Sequence, residues 1–117
     1  LLHFTVRGQP IPKARPVVAN RRAFTPSKTV AWEQQVAWAA RELMRDQPPL
    51  TDDLTVQLVF YRKGKRRADI DNLSKSILDA MNGIIFNDDR QIVQLTAAVF
   101  YRSTTPGVAV KITKDGS

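Results

Sequence analysis

The run Arg66-Arg67-Ala68-Asp69-Ile70-Asp71-Asn72-Leu73-Ser74-Lys75 concentrates the side chains most able to do chemistry. Two carboxylates two residues apart in an extended or turning segment can point the same way and share a hard divalent cation. Asp88-Asp89 adds further carboxylates in a turn ahead of a later strand, able to return to the same end of a sheet. Aspartate oxygens that retain waters suit Mg²⁺ or Mn²⁺, which use few protein ligands when a phosphate supplies the rest. Lys75, one turn along, offers a cation for charge developing on a phosphate or its leaving group. A purely structural account competes with this one. Asp69 can cap a helix, Asp71 can favour its dipole, and Asp71 with Lys75 can form an ordinary i,i+4 pair.

The surrounding charge favours chemistry on a polyanion. Arg7, Lys13, Arg15, Arg21, Arg22 and Lys28 run from residue 7 to residue 28 with no acid among them, and Arg62, Lys63, Lys65, Arg66 and Arg67 crowd around Gly64. These two stretches hold 11 of the 18 basic residues, and Asp69, Asp71, Asp79, Asp88 and Asp89 follow directly after the second. A merely soluble surface mixes its signs, although any one basic run by itself can be a solvated loop. The net charge of +7 and a pI near 10.3 point to nucleic acid first and an anionic membrane surface second. Carboxylates, a lysine and basic loops together are the parts of a metal-dependent phosphodiesterase.

These residues need elements to position them. Leu2, Phe4 and Val6 alternate with polar residues as a short strand. Pro10, Pro12 and Pro16 predict a long loop. Thr25-Pro26 supplies an N-cap and an N1 proline for a helix to Met44 or Arg45, along which Trp32, Val36, Ala39 or Ala40, and Leu43 fall at helical spacing. Both tryptophans, Trp32 and Trp38, read as core rather than as a ligand platform. Leu54, Val56, Leu58 and Phe60 mark a second strand, followed by the basic loop. A second helix runs from Asp69 or Ile70 to Asn82, with Gly83 as its C-terminal cap. Its apolar stripe is Ile70, Leu73, Ile77 and Met81, while Asp71, Lys75 and Asp79 share a polar face. Asn87-Asp88-Asp89 predicts a turn. A strand from Gln91 to Arg102, with Val93, Leu95, Ala97, Val99 and Tyr101 on one face, then forms a hairpin with Val108, Val110 and Ile112. This order predicts an α+β domain of two layers, an approximately four-stranded mixed sheet with two main helices on one face.

Composition narrows the classes further. A chain of 117 residues predicts a single domain over 1–117, and its 43% hydrophobic content argues against disorder. Zero cysteines exclude a disulfide scaffold, a thiolate metal site and a thiol nucleophile. The single His3 argues against a histidine metal cage or a Ser-His-Asp triad. No apolar run approaches the roughly 20 residues of a bilayer span, and no signal-peptide pattern opens the chain, so a cytoplasmic location is expected.

The run Asp69-Ile70-Asp71-Asn72-Leu73-x-Lys75, then Leu78-Asp79-Ala80, Gly83 and Asn87-Asp88-Asp89-x-Gln91-Ile92-Val93, resembles the RusA family of Holliday junction resolvases. Gly8-Gln9-Pro10-x-Pro12-Lys13-x-Arg15-Pro16 and Phe24-Thr25-Pro26 look like the opening of its phage and prophage members. The resemblance implies an α+β, homodimeric, Mg²⁺-dependent endodeoxyribonuclease of DNA recombination and repair. Such an enzyme cuts symmetrically across a four-way junction and leaves 5′-phosphate ends. Carried over, Asp69, Asp71 and Asp89 match the metal-binding catalytic aspartates, Asp88 is a further candidate ligand, and Lys75 matches the lysine needed for cleavage. Asp79 also matches, with a structural role equally open. Lys13, Arg15, Arg21, Arg22, Lys63, Lys65, Arg66 and Arg67 would hold the DNA backbone. Ala68 departs from the proline or basic residue often found before the first aspartate, a change expected to touch DNA contact more than metal binding. No small-molecule cofactor and no membrane partner are expected, and Trp32 with Trp38 is the one apolar seam available to a dimer. A basic binding module without catalysis would explain the charge, yet it leaves Asp69, Asp71, Asp88 and Asp89 facing phosphate with no purpose. A nucleotide-handling transferase would need a Gly-rich phosphate loop, which the chain lacks.

Overall fold

The computed structural model describes residues 1–13, 17–19, 22–24 and 27–116. The elements run β1 (Leu2–Arg7), β2 (Val17–Ala19), β3 (Arg22–Phe24), α1 (Ser27–Met44), β4 (Leu54–Tyr61), α2 (Ile70–Met81), a single 3₁₀ turn (Asp89–Gln91), β5 (Ile92–Phe100) and β6 (Gly107–Lys114). Four strands make one mixed sheet in the order β1-β6-β4-β5, and β2 pairs with β3 as a separate two-stranded ribbon. The expected α+β class holds. The ribbon corrects the expectation of one long loop before the first helix; three-residue strands carry too few residues for an alternation to show. Thr25-Pro26, expected to open α1, lies outside the described residues.

The sheet alternates cleanly. Leu54, Val56, Leu58 and Phe60 of β4 are buried, and the register sets Val56, Leu58 and Phe60 beside Ile112, Val110 and Val108 of β6, which in turn neighbour Leu2, Phe4 and Val6 of β1. Against this face pack Trp32, Val36, Ala40 and Met44 from α1 and Leu73, Ile77, Ala80 and Met81 from α2. Trp38 is 65% exposed, so only Trp32 belongs to the core; the paired-tryptophan seam does not exist. Ile70, in the first turn of α2, is also half-exposed.

The expected β5–β6 hairpin is not formed. β6 lies between β1 and β4, antiparallel to both, and β5 pairs parallel to β4 at the sheet edge. Burial decides this. Val108, Val110 and Ile112 exclude water completely only in a central position, whereas Gln94, Thr96 and a 43%-exposed Leu95 tolerate an edge. The parallel β4–β5 pair is possible because α2 carries the chain back between them. Strand β5 ends at Phe100, short of the expected Arg102, which takes a left-handed φ of 59°.

The proline-rich segment is a strap across the helices. Prolines lack an N–H, so the carbonyls here need partners but few donors do. The Pro10 oxygen accepts from Arg62 Nε (3.3 Å), Ile11 from Ser76 Oγ (3.0 Å) and Pro12 from Thr29 Oγ1 (3.4 Å), while the Lys13 N–H donates to the Asn72 carbonyl (2.8 Å). Two of these four bonds reach α2, one reaches α1 and one reaches Arg62 at the start of the basic loop, so the strap ties all three together.

Candidate active site

Asp69 ends the basic loop and starts α2. Its backbone is extended (φ −70°, ψ 118°) and its Oδ1 accepts from the Asp71 N–H at 2.9 Å, an N-cap. A carboxylate offers about four acceptor positions, so capping leaves Asp69 able to bind more. The peptide just before it is also held. Tyr101 Oη accepts from the Ala68 N–H (3.2 Å) and donates to the Ala68 carbonyl (3.3 Å), while the Arg67 guanidinium lies over the Tyr101 ring, 5.3 Å from its centroid. Tyr101, read from sequence only as a strand residue, therefore fixes the join between cationic loop and acidic helix.

Asp89 comes from a different element and is placed by different means. Asp88 caps the 3₁₀ turn: its Oδ1 accepts from the Arg90 N–H (2.9 Å) and its Oδ2 from Arg90 Nη2 (3.2 Å). These bonds to Arg90, backbone first and side chain second, hold the Asp88 carboxyl below its ordinary pKa. Gln91 completes the turn. Its Oε1 accepts from the N–H groups of Asn87 (2.9 Å) and Asp88 (3.0 Å), and its Nε2 donates to the carbonyls of Leu50 (2.8 Å) and Asp52 (3.0 Å). All four hydrogen-bonding positions of the amide are used, which fastens the Asp88-Asp89 turn to the segment entering β4.

The two elements meet in a cleft of about 360 Å³ between α2 and the inner side of β5, lined by Ile70, Asp71, Ser74, Lys75, Leu78, Asp89, Leu95 and Ala97. Asp71, Lys75 and Asp89 thus face one space although 18 residues separate the two aspartates in the chain. Asp69 and Asp88 are outside the lining. Among the described residues no three Asp, Glu or His side chains form a ready-made metal cluster. The donor set nevertheless suits a hydrated hard cation. Two carboxylates offer oxygen ligands, and the cleft exceeds the about 180 Å³ that six waters occupy.

Lys75 does not pair with Asp71. Its Nζ lies 3.9 Å from Asp79 Oδ1, and Asp79 Oδ2 is 3.3 Å from Lys13 Nζ, which also meets both oxygens of Glu33 at 3.1 Å. Burial opposes the charge on Lys13, but the bonds to Glu33 and Asp79 outweigh it and raise its pKa. Lys13, expected on DNA, is instead paired with two carboxylates at a partly exposed position, where it links the strap to both helices. Arg62 is buried as well, donating to Pro10 and, at 3.1 Å, to the Arg66 carbonyl. Lys63, Lys65, Arg66 and Arg67 remain exposed on the loop that leads into Asp69. Arg15 and Arg21 lie outside the described residues, as does the side chain of Arg22.

The sequence matches the family model for endodeoxyribonuclease RusA over residues 7–113. It is 30% identical over 136 aligned positions to the uncharacterised protein YqaN of Bacillus subtilis (strain 168), covering 95% of this chain and 94% of that protein. It is 27% identical over 107 positions to the crossover junction endodeoxyribonuclease RusA of Aquifex aeolicus (strain VF5), covering 88% of this chain and 83% of that one. With nearly every residue inside the match and two acidic elements converging beside a basic loop, the chain belongs to the RusA family of endodeoxyribonucleases.

Proposed function

We propose that this endodeoxyribonuclease resolves Holliday junctions, cutting two strands symmetrically as a homodimer with Mg²⁺ as its metal and Mn²⁺ able to substitute. Nucleases of the family generally depend on a divalent metal, and the Aquifex relative carries crossover-junction cleavage in its name. The observation that carries the reading is the meeting of Asp71, Lys75 and Asp89 in one cleft, directly after a loop of exposed cations. Asp71 and Asp89 would hold the metal, with Asp69 and Asp88, their sequence neighbours outside the cleft lining, as further candidate ligands. A bound divalent cation supplies charge neutralisation at a phosphate and activation of water. Lys75 places a positive charge on the same cleft for the phosphate's developing charge, and Asp79 holds that ammonium from one turn further along α2. Lys63, Lys65, Arg66 and Arg67, joined by Arg15, Arg21 and Arg22, would contact the DNA backbone. Two coordinated cuts need two sites, which a two-fold dimer provides.

Asp71→Asn tests the site. It keeps the side chain's size but removes the charge a cation needs. Cleavage of a synthetic four-way junction in Mg²⁺ should fall by orders of magnitude while junction binding persists or tightens, since repulsion of phosphate also falls. Lys75→Ala should lose most cleavage and keep any Mg²⁺-induced rise in melting temperature. Near wild-type cleavage by Asp71→Asn would overturn the assignment.

A further inference from the structure

The sheet face turned away from the helices carries a second arrangement suited to DNA. The register aligns Arg7, Gly107, Tyr61 and Phe100 in one row across all four strands. Tyr61 and Phe100 are 38% and 54% exposed, and their rings stack with centroids 5.6 Å apart and planes 18° from parallel. The rows below hold small, polar or cationic residues: Thr5, Ala109, Val59 and Ala98, then His3, Lys111, Gln57 and Thr96. An aromatic pair in such surroundings offers a π face without a broad apolar patch.

Beside Tyr61 lies a cleft of about 570 Å³, bordered by Arg7, Thr105, Pro106 and Gly107. Its width follows from the topology. Arg7 and Tyr61 stand two strands apart, about 9.5 Å, and Gly107 between them has no side chain to fill the gap. A Cβ at 107 would come within 2.6 Å of the Val6 carbonyl oxygen, so the backbone contact demands glycine. One planar ring stacked on both sides needs about 7–8 Å. Guanidinium and tyrosine are both good stacking partners for a nucleobase. The row also abuts the basic loop: the Arg62 N–H donates to the Phe100 carbonyl (2.8 Å) and the Arg102 N–H to the Gly64 carbonyl (2.6 Å).

We propose that this helix-free sheet face is a stacking platform for an unpaired DNA base, which enters between Arg7 and Tyr61. Arg7, Lys111 and the 63–67 loop meet the phosphates on either side of it. Charge selects this occupant over a second copy of the chain. A two-fold contact through this face would bring Arg7 and Lys111 toward their own like charges, whereas a DNA strand complements them. The proposal rests on the nuclease reading only in taking DNA as the ligand.

The probe is a short single strand carrying one 2-aminopurine, titrated in EDTA so that no cleavage occurs. Wild type should quench its fluorescence, Tyr61→Phe should do the same, and Tyr61→Leu should lose the quench and weaken binding about 5- to 150-fold, the loss of one base–aromatic stack. Arg7→Gln should show a smaller loss in the same direction. Because Tyr61→Leu can also disturb folding, wild type is photocrosslinked to a strand carrying 5-iodouracil, and the adduct should map to Tyr61 or Phe100. Crosslinks confined to other elements, or unquenched wild type, would overturn the proposal. So would a Tyr61→Leu variant that binds the strand normally but sediments at half the wild-type mass, which would make this face a contact between copies. Asp71→Asn should quench like wild type, so failure of the cleavage test and failure of this one are read separately.

Discussion

Replacing Gln91 with glutamate changes one atom's chemistry in the device that places Asp89. The Oε1 that accepts from Asn87 and Asp88 is retained, but the Nε2 that donates to Leu50 (2.8 Å) and Asp52 (3.0 Å) becomes an oxygen facing two carbonyl oxygens. Two neutral hydrogen bonds are lost, at about 0.5–1.5 kcal/mol each, so the cost is about 1–3 kcal/mol. For a chain of this size roughly 4 °C of melting temperature accompanies each kcal/mol, a fall of about 4–12 °C. The defect should ease in acid. An introduced carboxyl that can donate only when protonated has a folded pKa above its unfolded value of about 4.3. Its destabilisation is therefore full above that folded pKa and shrinks as pH falls through it, which thermal melts between about pH 8 and pH 4.5 would reveal. In cleavage assays with saturating Mg²⁺, kcat should fall at least tenfold while KM for a junction changes little, because Asp89 shifts and the basic loop does not. Gln91→Glu with wild-type melting and wild-type kcat would refute the idea that this amide sets the position of Asp89.

Tyr101→Phe should keep the ring beneath Arg67 but free both polar groups of Ala68, lowering stability by about 1–2 kcal/mol and kcat more than DNA affinity; equal losses in both would place its role elsewhere. Lys13→Met should cost about 1.5–3 kcal/mol in denaturant unfolding, because Glu33 and Asp79 lose a shared, half-buried partner. The Lys13 pKa lies above 10.5, so its contribution is full below that value and fades only as pH rises through the folded pKa. The difference from wild type should therefore be constant between about pH 7 and about pH 9. Changing Arg66 and Arg67 together to glutamine should flatten the salt dependence of junction binding in EDTA by about 1.8 in log–log slope, two phosphate contacts' worth; an unaltered slope would move the DNA surface away from the loop.

Local features of the chain were legible from residue order. The Asp69 cap, the Leu73-Ile77-Met81 stripe of α2, the Gly83 stop at φ 82° and the Asp88 turn depend on neighbours within about four residues. The alternation of β4 is equally local, since one buried face imposes a period of two. The central motif also marked Asp69, Asp71, Lys75, Asp88 and Asp89 as a group worth testing, because their spacing and charge contrast with the basic loop are written in the sequence.

Tertiary packing decided the rest. Residue order favoured pairing β5 with β6, the next strand along, but β6 wins the place between β1 and β4 because its inner face must be sealed on both sides. That exchange leaves β5 at the edge with its inner face partly open, and the opening is the cleft where Asp89 meets Asp71 and Lys75. The same packing took Lys13 and Arg62 out of the cationic surface to satisfy carboxylates and proline carbonyls, and turned Trp38 outward. None of these outcomes is visible to a helical wheel or a charge count. Each depends on which of several chemically similar segments can bury its apolar face or pair its polar groups at the lowest free energy, a competition that only the assembled chain resolves.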